Sequence, residues 1–168
     1  MKYFYPALIT IFLFASCRNI SEPECVITEE QFVKIYLKYS FKDEINTFKL
    51  KVTKDLIIDG TVTIPFYFTE EEQNKILAKA NEVGFFAMPD TFKYVSASGK
   101  IPHIEPDAGE QKLRINCGDK DKTIVWTAPQ NNDNLFFQKY IELQNFIIGI
   151  VASRPEYKKL PPAKGGYM

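Results

Sequence analysis

From position 32 onward, apolar and polar residues first alternate with a period of two. Phe32 to Tyr39 reads FVKIYLKY. Val33, Ile35, Leu37 and Tyr39 fall on one side of an extended chain, and Lys34, Tyr36 and Lys38 on the other. Alternation built from β-branched and aromatic residues predicts a half-buried strand. Lys42-Asp43-Glu44 is a polar break, after which Phe48, Leu50 and Val52 alternate with Lys49 and Lys51 and predict a second strand. The next turn falls at Lys54-Asp55 or at Asp59-Gly60. Asp-Gly is the stronger hairpin signal, because glycine accepts a positive φ. A third strand is predicted from Thr61 to Tyr67. Pro65 cannot donate to a ladder, which places that stretch at a sheet edge or a bulge.

The period then changes. Thr69-Glu70-Glu71-Glu72 has the form of a capping box, in which the threonine hydroxyl and the glutamate three residues on satisfy each other's backbone N–H groups. The helix it opens is predicted to run to about Val83, to stop at Gly84, and to bury Ile76, Leu77, Ala80 and Val83. Phe85, Phe86 and Met88 form an apolar plug before Pro89-Asp90. Thr91 to Glu110 reads as a long loop, and loops of this length within a compact domain are often functional. Leu113, Ile115 and Cys117 alternate with Arg114 and Asn116, Gly118 to Asp121 is a turn, and Thr123 to Trp126 returns as the partner strand. After a second loop, Ala128 to Asp133, with a cap near Asn132 or Asp133, a last helix is predicted over 134–153. Its stripe is Phe136, Phe137, Tyr140, Ile141, Leu143, Phe146, Ile147, Ile150 and Val151, and Arg154-Pro155 ends it. The order β-β-β-α-β-β-α predicts an α+β domain over 31–154, a mainly antiparallel sheet of about five strands with two helices on one face. Residues 155–168 are rich in Pro, Gly and Lys and are expected to form a flexible tail.

Composition adds a constraint on partners. The 168 residues carry 21 basic and 21 acidic side chains, so the formal net charge is zero. A nucleic-acid binder normally shows a basic excess, and nucleic acid is therefore not an expected partner. The chain is 14% aromatic, a surplus expected mainly to fill the core.

The first residues read as an address. Met1-Lys2 is a minimal positive region, and Tyr5 to Ala15 is almost wholly apolar. That run is too short to span a hydrocarbon core, which needs roughly 20 apolar residues, but it fits the apolar region of a signal peptide. It ends in Phe14-Ala15-Ser16-Cys17, which resembles the lipobox of bacterial lipoproteins with type II signal peptides. The family pattern prefers Leu at the first position, where this chain has Phe14 with Leu13 beside it. The resemblance implies that 1–16 is removed, that Cys17 receives a diacylglyceryl group on its thiol, and that the new amine can take a further acyl chain such as palmitate. Two or more chains on one residue anchor stably, whereas one does so marginally. Residues 17–30 would then be a lipidated tether carrying the acidic, proline-containing Ser21-Glu22-Pro23-Glu24. In such lipoproteins Asp after the lipidated Cys signals retention in the inner membrane. Arg18 stands there instead, which implies the outer membrane. Residues 57–90 resemble a group of uncharacterised bacterial lipoprotein domains through Asp59-Gly60-Thr61-Val62, Thr69 to Glu72, Phe85-Phe86 and Pro89-Asp90. The resemblance implies a shared fold and lends no activity.

The candidate chemistry is sparse. With Cys17 lipidated, Cys25 and Cys117 remain, either as a disulfide in an oxidising compartment or as two separate thiols with Cys117 packed in a strand. The single histidine, His103, lies in an Ile-Pro-His-Ile-Glu-Pro-Asp run. In an extended segment His103, Glu105 and Asp107 point the same way and could hold a divalent metal. Cys117 with His103 is a nucleophilic dyad by residue type alone, without a motif around the thiol. No serine elbow, phosphate-binding loop, dinucleotide fingerprint or paired-cysteine zinc motif is present. Lys34, Lys38, Lys49 and Lys51 can form a basic sheet face, solvated or facing an anionic partner. These observations lead to a non-enzymatic, lipid-anchored envelope lipoprotein without a cofactor. Its domain would bind a protein or envelope component, an inhibitor or immunity-type role being a special case. The alternative is a metal-binding protein or metal-assisted hydrolase built on the His103 loop.

Overall fold

The computed structural model describes residues 32–92, 110–126 and 133–167. Six strands form a single sheet: β1 (Lys34–Lys38), β2 (Glu44–Asn46), β3 (Lys51–Ile57), β4 (Gly60–Pro65), β5 (Gln111–Cys117) and β6 (Lys120–Trp126). Their order across the sheet is β4-β3-β2-β1-β5-β6, and every neighbouring pair is antiparallel. Helices α1 (Glu70–Glu82) and α2 (Leu135–Ser153) pack on one face, followed by a short α3 (Pro155–Lys158). The fold is α+β, as the sequence predicts.

Alternation decides which face is covered. Leu37 pairs with Ile45 and Leu113, Ile45 with Val52, and Leu113 with Ile124. All five are buried without exception. From α1, Ile76, Leu77 and Ala80 close over them, and from α2 Phe137, Tyr140, Leu143, Ile147 and Val151. Trp126 meets Phe137 edge to face at 4.5 Å, so the aromatic surplus does fill this layer. The capping box at Thr69 is formed, with Glu72 N–H donating to Thr69 Oγ1 and Thr69 N–H to Glu72 Oε2. Gly84 follows α1 at φ 72°, a left-handed conformation that favours glycine. Phe85 and Met88 are buried after it, bracketing a single 3₁₀ turn.

The structure corrects the early strands. Glu44, read as part of a polar break, begins β2, and Phe48 and Leu50, read as strand, lie in the turn between β2 and β3. A three-residue strand offers one core position, Ile45, which is too few for alternation to show. Pro65 ends β4, which is an edge strand, so its missing donor costs no ladder bond. The cap of α2 is Asn134, one residue beyond the expected positions, and its Oδ1 accepts from Phe136 N–H at 2.9 Å.

The last segment also differs from expectation. Where a flexible tail was expected, α3 and residues 159–167 lie against the domain. Lys54 Nζ donates to Pro161 O at 2.8 Å, Lys164 N–H to Leu56 O at 3.2 Å, and Ile58 N–H to Lys164 O at 3.4 Å. Tyr167 stacks on Phe41 at 4.5 Å and donates its hydroxyl hydrogen to Asp55. The reason is a gap in the sheet. β2 pairs with β3 only between Lys51 and Thr53, which leaves the Leu56–Ile58 backbone without a neighbour on that side. Lys164 fills this place through a parallel bridge to Ile57.

Candidate functional site

With both long helices on one face, no helix among the described residues covers the opposite face of the sheet. Antiparallel sheets commonly have one solvated face, so openness alone says little. Its composition says more. The face takes Lys34, Tyr36 and Lys38 from β1, Glu44 from β2, Lys51 and Thr53 from β3, Thr63 from β4, Lys112 and Arg114 from β5, and Asp121 and Thr123 from β6. Each is the alternate of a core residue in the pairing register. Of the four lysines expected to share a face, Lys34, Lys38 and Lys51 do so, while Lys49 lies in the β2–β3 turn. Lys112 and Arg114 join them across β1. Their signal was present in the sequence, in the alternation with Leu113 and Ile115, but only the pairing shows that they neighbour β1.

Part of this charge is neutralised in place. Arg114 makes two bonds to Asp121, Nε to Oδ1 at 2.8 Å and Nη2 to Oδ2 at 2.5 Å. Asp121 is held below its ordinary value by that guanidinium, and Arg114 is raised in return. Arg114 also lies over the Phe48 ring at 4.6 Å. Lys51 pairs with Glu44 at 3.2 Å. Burial disfavours the charge on Glu44, but hydrogen bonds from Asn46 and Lys51 outweigh it and hold the carboxyl below its usual value. Tyr36 is raised by partial burial and by Glu44.

Three cations are left over. Lys34, Lys38 and Lys112 make no ion pair among the described residues. Lys38 and Lys112 are direct cross-strand partners. Like charges placed directly opposite destabilise a sheet, and Glu44, the partner of Lys38 on the β2 side, offsets part of this. Lys112 Nζ is 5.8 Å from the Tyr36 ring centroid, so the pair is flanked by an aromatic ring. Beside it, Asp90, Lys112, Arg114, Asp121, Lys122 and Thr123 line an open concavity of about 460 Å³. There Lys122 is bound to Asp90 at 2.5 Å. This arrangement can hold an anionic group against Lys38 and Lys112.

The other candidates fare differently. His103, Glu105 and Asp107 lie outside the described residues, as do Cys17 and Cys25. Among the described residues no group of three His, Cys, Asp or Glu side chains could hold a metal. Cys117 is buried at the end of β5, and its sulfur is engaged in a disulfide. It is therefore not a free thiol, and the dyad with His103 is set aside. No helix among the described residues is long and apolar enough to cross a membrane. No protein-family model and no curated protein matches the chain.

Proposed function

We propose that this protein is a non-enzymatic envelope lipoprotein, anchored by acyl chains on Cys17 in the outer membrane, whose α+β domain binds a protein or envelope component through the open face of its sheet. The observation that carries the binding surface is the cross-strand pair Lys38 and Lys112, two cations without an ion pair among the described residues, held side by side on a face that no described helix covers. The fold tolerates this repulsion, and an anionic group from a partner relieves it. The lipobox-like Phe14-Ala15-Ser16-Cys17 supports the anchor. Under this reading the disulfide partner of Cys117 is Cys25, because the thioether on Cys17 consumes that thiol.

The test is in vivo crosslinking from the open face, with the partner identified after purification from intact envelopes. A Lys38→Glu, Lys112→Glu double variant is expected to reach the envelope in normal amount and to lose at least tenfold of the captured partner. Equal recovery from parent and variant, or no specific partner at all, would remove the open face as the binding surface.

A further inference from the structure

Resting on the lipid-anchored reading above, we infer that the sheet end carrying Phe32, Leu50 and Tyr67 is a membrane-contacting edge that seats the domain on the bilayer. Antiparallel order defines that end. There β1, β3 and β6 begin and β2, β4 and β5 finish. Phe32 precedes β1 and is 74% exposed, Leu50 sits in the β2–β3 turn at 62%, and Tyr67 follows β4 at 71%. Phe66 N–H donates to Leu50 O at 2.9 Å, which brings the Leu50 and Tyr67 stretches together. Gln73 joins the start of β1 to the same region, accepting from Val33 N–H and donating to Phe68 O.

The β2–β3 turn has the composition of an interfacial contact. Phe48-Lys49-Leu50-Lys51 alternates apolar and basic side chains, and Lys34 lies on the neighbouring strand. Lysine stems and aromatic rings suit a surface that is apolar on one side and wet on the other. Leu50 holds φ 51°, a left-handed conformation unusual for leucine. Ile57 at the opposite end holds φ 65°, so this conformation does not by itself distinguish the two ends. Asp119 and Glu70 border the same end, so its apolar residues and the course of the chain, not its net charge, set it apart.

The course of the chain identifies the occupant. Phe32 is fifteen positions after Cys17. A fully extended stretch of that length reaches at most about 50 Å. With Cys25 bonded to Cys117, which closes β5 at this same end, only eight positions separate the anchor from the domain, a reach of at most about 28 Å. The exposed apolar residues away from this edge, Phe41, Ile58 and Tyr167 and, at the start of α2, Leu135 and Phe136, do not follow the segment from Cys17, so the course of the chain and not the number of apolar residues selects the edge.

Single tryptophans report the contact. Full-length lipidated chains carrying Leu50→Trp, Tyr67→Trp or, at the opposite end, Ile58→Trp are reconstituted in phosphatidylethanolamine–phosphatidylglycerol vesicles containing brominated lipid. The buried Trp126 gives a constant background. Trp at 50 and 67 is expected to lose at least half its emission to the bromines, and Trp at 58 less than a tenth. The Tyr67→Trp exchange keeps an aromatic at an exposed site, so it decides the matter if the turn variant fails to fold. Silent reporters at 50 and 67, or stronger quenching at 58, overturn the inference. Flotation of the parent but not of Cys17→Ala with vesicles tests the anchor separately.

Discussion

Asp43 shows how a single side chain can set a pH dependence. It lies half-buried where β1 turns into β2, and its Oδ1 accepts the N–H of Asp55 at 2.8 Å. Burial pushes its carboxyl above the ordinary value; the Asp55 N–H opposes this, the Asp55 carboxylate adds to it, and Ser40 and Lys54 oppose it. Lys42 and Tyr167 also border this corner. A carboxyl raised on folding binds its proton more tightly in the native than in the unfolded chain. Its stabilising contribution is therefore present below the unfolded value of about 3.9 and is lost as pH rises through the folded value. Asp43→Asn keeps the accepting oxygen and removes the ionisation. The variant is expected to be at least as stable as the parent at pH 7 and to lose less stability between about pH 4 and 7, as read from urea unfolding across that range. A clear loss at pH 7 would mean that the charged form is favourably held.

Among the elements, α1 was the most legible. Thr69, Glu72, Ile76, Leu77, Ala80, Val83 and Gly84 all stand in the roles their spacing predicts, because capping and helical periodicity are local properties. Thr69 is exposed and packs into no core, so Thr69→Ala isolates the cap. It is expected to cost about 1 kcal/mol in chemical unfolding. A loss below ~0.3 kcal/mol would show that water replaces the hydroxyl at no cost. β2 and the docked C-terminal segment were illegible for two different reasons. β2 is too short to show a period. The 159–167 segment is ordered by Leu56, Ile58 and Asp55, about a hundred residues away in sequence, and carries no periodic pattern of its own.

For the whole molecule, the disulfide at Cys117 is a constraint that reaches beyond its own strand. With Cys25 as the proposed partner, the bond would close a loop of roughly ninety residues, which the chain-entropy model values on the order of 4–5 kcal/mol. Cys25→Ser and Cys117→Ser are each expected to lose stability of that order, equal to the loss caused by reductant, while Cys17→Ser loses none. Peptide mapping under non-reducing conditions that joins Cys17 to Cys117 would refute both this pairing and lipidation of Cys17. The open face depends on the same scale. Lys38 and Lys112 are 74 positions apart, and nothing near either one signals that they are neighbours.

The α+β class, the Asp59-Gly60 hairpin, the capped first helix, the alternation of β1 and β5, and the wide apolar stripe of α2 could all be read from the order of the amino acids. Each rests on interactions within a few residues, or on a periodicity that burial imposes on one face. The assembled sheet alone places β1 between β2 and β5, so that Lys34, Lys38, Lys112 and Arg114 share one surface that no described helix covers. It also decided that the sheet gap beside Leu56 is closed by Lys164, and that Phe32, Leu50 and Tyr67 gather at one end. These placements follow from strand order, which is settled by the burial of the entire sheet at once and not by any segment's own pattern.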